Sequence, residues 1–174
     1  QLLLRSFEQR NGIRLWCSVR RSGKTTACFD LGTATGAATV VTQTCDSTDE
    51  QIGSHIFYDL VTEAIDSGRQ LSRSFVEDAV AQSSPSRASD ASRYVVVLDE
   101  YETLFGRLQT AAAKDRELRY TVVQPLLNQL VAFGREHLLV FVGQQPDAHF
   151  ILMDQNQLSA YVRQDAFPLF THDD

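Results

Sequence analysis

The spacing of apolar positions along this chain changes several times, and the changes mark its elements. Residues 1–10 have a short apolar start and then alternating charges, which reads as a helix or tail. Asn11-Gly12 signals a turn, and the apolar run from Ile13 to Cys17 predicts a first strand. A polar loop follows. Helical pattern then returns over 25–31, and Gly32 and Gly36 bracket a loop before a second strand at 38–42, where Thr39, Val40, Val41 and Thr42 are β-branched. Ser47-Thr48-Asp49-Glu50 has capping-box spacing and precedes Ile52, Ile56, Phe57, Leu60, Val61, Ala64 and Ile65. Those positions share one helical face, so a helix is predicted to end before Gly68. A second box, Ser74 to Glu77, opens a shorter helix to about Ala81, and the Ser-rich stretch 82–93 has no core face and predicts a mobile surface loop.

Tyr94 to Leu98 is a continuous, largely β-branched run, the form of a strand buried on both faces of a parallel sheet. Helical pattern resumes from about Glu117 to Phe133, with Pro125 expected to kink or restart the helix and Gly134 to stop it. His137 to Val142 predicts a fourth strand that ends at Gly143-Gln144-Gln145-Pro146. Strands and helices alternating at these lengths imply parallel strands with right-handed crossovers, hence a layered α/β fold. The 174 residues fit one domain spanning 1–174, large enough for a substantial core.

Composition narrows the function classes. Hydrophobic content is 43%, but each apolar run is only a few residues long. A bilayer needs about 20, so a soluble protein without a membrane partner is expected. The chain opens on Gln1 with no visible signal peptide, which suggests a fragment or trimmed product of a cytoplasmic protein. A net charge of −6 does not indicate nucleic acid as a partner and leaves room only for a local basic track. Cys17, Cys28 and Cys45 are odd in number and form no CxxC pair, which fits a reducing compartment. His55, His137, His149 and His172 show no metal-binding spacing and read as structural or exposed.

Two motifs carry chemistry. Ser18-Val19-Arg20-Arg21-Ser22-Gly23-Lys24-Thr25-Thr26 breaks directly from the first strand and reads as a phosphate-binding loop. Its backbone N–H groups and the following helix terminus would face a polyphosphate, with Lys24 on the β- and γ-phosphates and Thr25 on magnesium. Ser18, Arg20, Arg21, Ser22, Gly23, Lys24, Thr25 and Thr26 are therefore the candidate nucleotide-binding residues. Of 16 basic residues only Lys24 and Lys114 are lysine, so lysine is kept where a flexible point charge is useful. Ser18 stands where the full pattern opens with glycine, and a solvated basic turn is the plainer alternative for this loop. The third strand runs into Asp99-Glu100-Tyr101. Asp99 at a strand's carboxyl end suits the water shell of magnesium, and Glu100 could polarise a water for attack on the γ-phosphate. Strands also often end in acidic residues for no such reason. The pairing of this motif with the loop, each behind its own strand, favours nucleotide binding.

Ser-Val-Arg-Arg-Ser-Gly-Lys-Thr at 18–25 and Val-Val-Val-Leu-Asp-Glu-Tyr at 95–101 resemble the two nucleotide motifs of the archaeal-type ATPases, a branch of the AAA+ and STAND P-loop ATPases. The resemblance implies a three-layer P-loop NTPase domain with a parallel sheet of order 5-1-4-3-2 and nucleotide at its carboxyl edge. It implies a polar sensor after the fourth strand, with Gln144 the first candidate and Gln145 the second, although Gln-Gln-Pro could be a simple turn. It also implies a helix over 158–163 leading to a fifth strand at 167–170. Arg163 would then be an arginine finger for a neighbouring subunit, against the alternative of an exposed structural arginine. Because the chain stops at Asp174, no C-terminal helical lid is expected, which implies slow or subunit-dependent hydrolysis. The function implied is a magnesium-dependent ATPase serving as motor or switch in a larger assembly, as a homo-oligomer or with partner subunits. The alternatives are a scaffold or regulatory module that binds nucleotide without efficient hydrolysis, which Ser18 favours and Glu100 opposes, and a small-substrate kinase. The lack of an Asn-Lys-x-Asp guanine motif favours ATP as substrate.

Overall fold

The computed structural model describes residues 11–17, 23, 39–43, 55–83, 94–144 and 158–166. Their core is a five-stranded sheet of β1 (Gly12–Cys17), β2 (Thr39–Gln43), β3 (Tyr94–Asp99), β4 (Leu138–Gly143) and β5 (Val162–Ala166). The spatial order is β2-β3-β4-β1-β5, which from the other edge reads β5-β1-β4-β3-β2. All four pairings are parallel. β1, β3 and β4 are apolar at nearly every position because both faces of the sheet are covered. Ile13, Leu15, Val96, Leu98, Leu139 and Phe141 lie on one face in the main apolar cluster. Arg14, Trp16, Val95, Val97, Val140 and Val142 alternate with them and are buried as well.

Helices α1 (Ile56–Ser67), α2 (Phe75–Ser83), α3 (Tyr101–Lys114) and α5 (Gln124–Glu136) contribute apolar side chains to that cluster. α1 begins behind His55, so it is not capped by the box at 47–50, which lies outside the described residues with Ile52. Its end matches the sequence expectation. Gly68 adopts φ 64°, the left-handed cap that glycine takes without a Cβ penalty, and its N–H donates to the Ile65 carbonyl. α2 runs two residues past the predicted end, so 82 and 83 belong to a helix and not to the Ser-rich loop. At its start the Ser74 hydroxyl donates to Asp78 Oδ2 at 2.8 Å in place of the reciprocal Ser74–Glu77 side-chain-to-backbone bonds that a capping box would make, which corrects the second capping box.

α3 has no counterpart in the sequence expectations, yet Tyr101, Leu104, Phe105, Leu108 and Ala111 are all buried along one face. Tyr101 and Phe105 pack on Phe141 of β4 at centroid distances of 5.7 and 5.4 Å. The next helical stretch opens with the short α4 (Arg116–Leu118), whose Glu117 N–H is capped by Asp115 Oδ1 at 2.7 Å. A π-helical segment (Arg119–Val123) follows, and α5 restarts with Pro125 in its first turn. Pro125 has no N–H to give to the carbonyl of Thr121, and Leu71 N–H from the α1–α2 connection donates to that oxygen instead, at 3.2 Å. Gly134 does not stop α5. A Cβ there would lie 2.5 Å from Ile13 Cγ1, so glycine lets the helix press onto β1 and continue to Glu136. His137 is structural, as expected: its Nδ1 accepts from Tyr94 N–H at 3.2 Å and its ring packs on Phe133.

The fifth strand differs from expectation. A 3-10 turn (Leu158–Ala160) replaces the predicted helix over 158–163, and β5 follows at once, ahead of 167–170, which lie outside the described residues. The expectations for 1–10, for a helix over 25–31 and for most of the Ser-rich stretch also lie outside the described residues.

Candidate functional site

Parallel strands end together, so the sheet collects the residues that terminate β1, β4 and β3 at one edge. Cys17 pairs with Gly143, and Val142 pairs with Asp99. With neighbouring strands about 4.8 Å apart, the ends of β1 and β3 lie roughly 10 Å from one another across β4. The loop that follows Cys17 carries the first motif. Within it Gly23 is described, with φ +77°, a left-handed conformation suited to glycine. Ser18, Arg20, Arg21, Ser22, Lys24, Thr25 and Thr26 lie outside the described residues.

Asp99 closes β3 on the sheet face shared with Val95 and Val97 and is 8% exposed. Its Oδ1 accepts from the Glu100 N–H at 2.9 Å. Its backbone carbonyl accepts from the Tyr58 hydroxyl at 2.5 Å. Glu100 is exposed, with φ 53° and ψ 40°, and serves as N-cap of α3. Its carbonyl accepts from Thr103 N–H at 2.9 Å, which starts that helix. The second motif therefore spans a buried carboxylate and an exposed one in consecutive positions, on a sharp strand-to-helix turn.

Gln144 follows β4 directly and is exposed, and Gln145 lies outside the described residues. The backbone N–H of Gln144 donates to Glu102 Oε1. The Glu102 carboxylate fills the space over Gly143, where a Cβ would come within 2.2 Å of Oε1. Glu102 thus latches the first turn of α3 to the end of β4. Neither Tyr58 nor Glu102 stood out in the sequence. Tyr58 sits among the core positions of α1, and Glu102 reads as one more acidic residue of an acidic stretch.

Arg163 is not brought to this edge. It is the second residue of β5, in register with Arg14 of β1, whereas Ala166 pairs with Cys17 at the carboxyl end. The expected position between a helix and the fifth strand does not exist, because the strand begins at Val162.

The donor chemistry suits magnesium. That ion takes one or two carboxylates together with phosphate oxygens and water, and needs no all-protein cage. Asp99 is a buried carboxylate at the strand end that could supply one such ligand, and Thr25, the other expected ligand, lies outside the described residues. Among the described residues no group of three or more His, Cys, Asp or Glu side chains could hold a metal ion, and no helix is long and apolar enough to cross a membrane. A cavity of about 350 Å³ between α1 and α2, floored by Leu60, Leu71 and Phe75, includes none of the predicted site residues.

No family model and no curated protein matches the chain. Among solved structures it is similar to the structure of Drosophila ORC bound to GC-rich DNA and Cdc6, with a TM-score of 0.43 and 16% sequence identity. That match covers 97% of this chain and 28% of the other, so this chain spans little more than a quarter of that length.

Proposed function

We propose that the chain is an ATP-binding, magnesium-dependent ATPase module that works as a motor or switch in a larger assembly. The observation that carries this reading is the convergence of the two motif-bearing strand ends on one sheet edge, with the ends of β1 and β3 about 10 Å apart across β4. Ligands of open α/β sheets bind outside the carboxyl ends of the strands, where a loop–helix junction can offer N–H groups to phosphate.

In this reading the backbone of 18–24 cradles the phosphates, and Lys24 places its ammonium on the β- and γ-oxygens. Asp99 and Thr25 would hold magnesium, which when bound would supply positive charge against the negative charge of the phosphates. Glu100 orients a water toward the γ-phosphate and accepts its proton as the new oxygen–phosphorus bond forms and the bond from the γ-phosphorus to the β–γ bridging oxygen breaks, releasing ADP and phosphate. Gln144, at the end of β4 between the two motifs, is the polar group that senses the γ-phosphate.

The test is calorimetric titration of magnesium-ATP into the parent and Lys24→Ala proteins, followed by phosphate release at several protein concentrations. Lys24→Ala should bind ATP at least tenfold more weakly with an unchanged circular dichroism spectrum. Equal affinity would remove the loop assignment, and tight binding without turnover would favour a non-hydrolysing regulatory module.

A further inference from the structure

One peptide unit at the site is held by side chains at both of its polar ends. The carbonyl between Asp99 and Glu100 accepts from the Tyr58 hydroxyl, and the N–H of the same unit donates to Asp99 Oδ1. Tyr58 comes from α1, 41 positions away in sequence, and is 4% exposed. Its ring meets Phe57 edge-on, with centroids 6.2 Å apart, so the hydroxyl is carried on a packed side chain.

The residue that follows this unit has an unusual backbone. Among the described residues Glu100 is the one non-glycine with positive φ, and L-residues enter that region at a cost. Relaxing Glu100 to a negative φ while keeping the strand and helix in place requires the 99–100 peptide to turn over. That rotation would take the carbonyl off Tyr58 and the N–H off Asp99 together.

We infer that Tyr58 is a positioning residue: by fixing the plane of the 99–100 peptide it holds Glu100 in its left-handed conformation at the carboxyl edge of the sheet. The consequence for turnover rests on the role of Glu100 proposed above, whereas the backbone effect does not. A buried tyrosine hydroxyl usually finds a hydrogen-bond partner. What sets this one apart is the acceptor, the single carbonyl whose rotation would release the adjoining strained residue.

Tyr58→Phe removes one oxygen and keeps the packing. Because misplacement of a reacting group by about 1 Å can cost up to about a hundredfold, kcat should fall roughly tenfold or more while the magnesium-ATP dissociation constant stays within about twofold. A second readout needs no ATP. Glu100→Gly relieves the left-handed strain, so in the parent it should raise the melting temperature by about 2 °C. In the Tyr58→Phe background, where the peptide has already turned over, Glu100→Gly has no strain to relieve and should lower the melting temperature instead. Equal shifts in the two backgrounds would overturn the positioning role, whatever the turnover. A parent protein that neither binds nor hydrolyses ATP would remove the catalytic reading of Glu100, and the melting cycle would still decide the role of Tyr58.

Discussion

Gly143→Ala is the substitution whose effect the geometry fixes most closely. A Cβ at this position would sit 2.2 Å from Glu102 Oε1 and 2.4 Å from Oε2, well inside contact distance, so the carboxylate must swing away. In leaving, it gives up the hydrogen bond from the Gln144 N–H. Bonds to charged groups contribute about 1.5–3 kcal/mol, and the low end applies because Gln144 is exposed. Alanine returns about 0.5 kcal/mol by restricting the unfolded chain, since Gly143 does not use positive φ. The net loss is about 1 kcal/mol, or a melting temperature lower by about 2–4 °C for a domain of this size. The assay is thermal unfolding of Gly143→Ala, Glu102→Ala and the double variant. Once the carboxylate is gone the three atoms nearest the new methyl are gone with it, so in the Glu102→Ala background Gly143→Ala should cost less than it does in the parent. Strict additivity of the two single effects would show that the Glu102 latch does not exist in solution, and the argument for Gly143 would fall with it.

Two further expectations follow from the placement of the site residues. Glu100→Gln keeps the shape of the side chain and removes the base, so ATP affinity should persist in calorimetry while phosphate release falls by about a hundredfold or more; unchanged turnover would move the base elsewhere. Arg163→Ala should leave phosphate release within about twofold at every protein concentration, because Arg163 lies inside strand β5 and not on a helix-to-strand connection that could reach a neighbouring subunit; a loss on the order of 10³-fold that appears only as concentration rises would support the arginine-finger role.

The parts of the fold that could be read from the chain are those buried on two sides. β3 and β4 appear as nearly unbroken apolar runs, and β1 as one interrupted by Arg14, because water reaches neither face, and their bounds came out within a residue or two. β5 is an edge strand with the sequence Val-Arg-Gln-Asp-Ala, and its charged positions concealed it while the apolar 167–170 attracted the assignment. α3 is hard to read because its apolar face, Leu104, Phe105 and Leu108, follows directly on the acidic motif and is interleaved with Gly106 and polar residues. The order of strands came from resemblance, since periodicity cannot say which strands adjoin. In the site, Asp99 was legible because a carboxylate ending a buried strand is conspicuous. Tyr58 and Glu102 were not, because each acts on a backbone group more than 40 positions distant, and side-chain type alone carries no record of such a contact.

The carboxyl edge also collects two backbone features that strand and helix propensities do not favour. Glycine at the end of β4 forgoes side-chain packing in a fully buried strand, and Glu100 accepts a left-handed conformation beside it. Elsewhere among the described residues positive φ occurs only at Gly12, Gly23 and Gly68, where it carries little cost. Each exception has an identifiable restraint: the Glu102 carboxylate occupies the space over Gly143, and Tyr58 with Asp99 fixes the peptide before Glu100. Stability alone would favour a β-branched residue at 143 and a glycine or asparagine at 100. The chain instead has an exposed carboxylate on the strained residue, next to a buried one, and strain held by surrounding structure gathers where geometry serves chemistry. That arrangement gives Glu100 a fixed direction and leaves Asp99 fixed at the strand end. These are the separate conditions that the water-orienting base and the metal-holding carboxylate proposed above would have to meet in neighbouring positions.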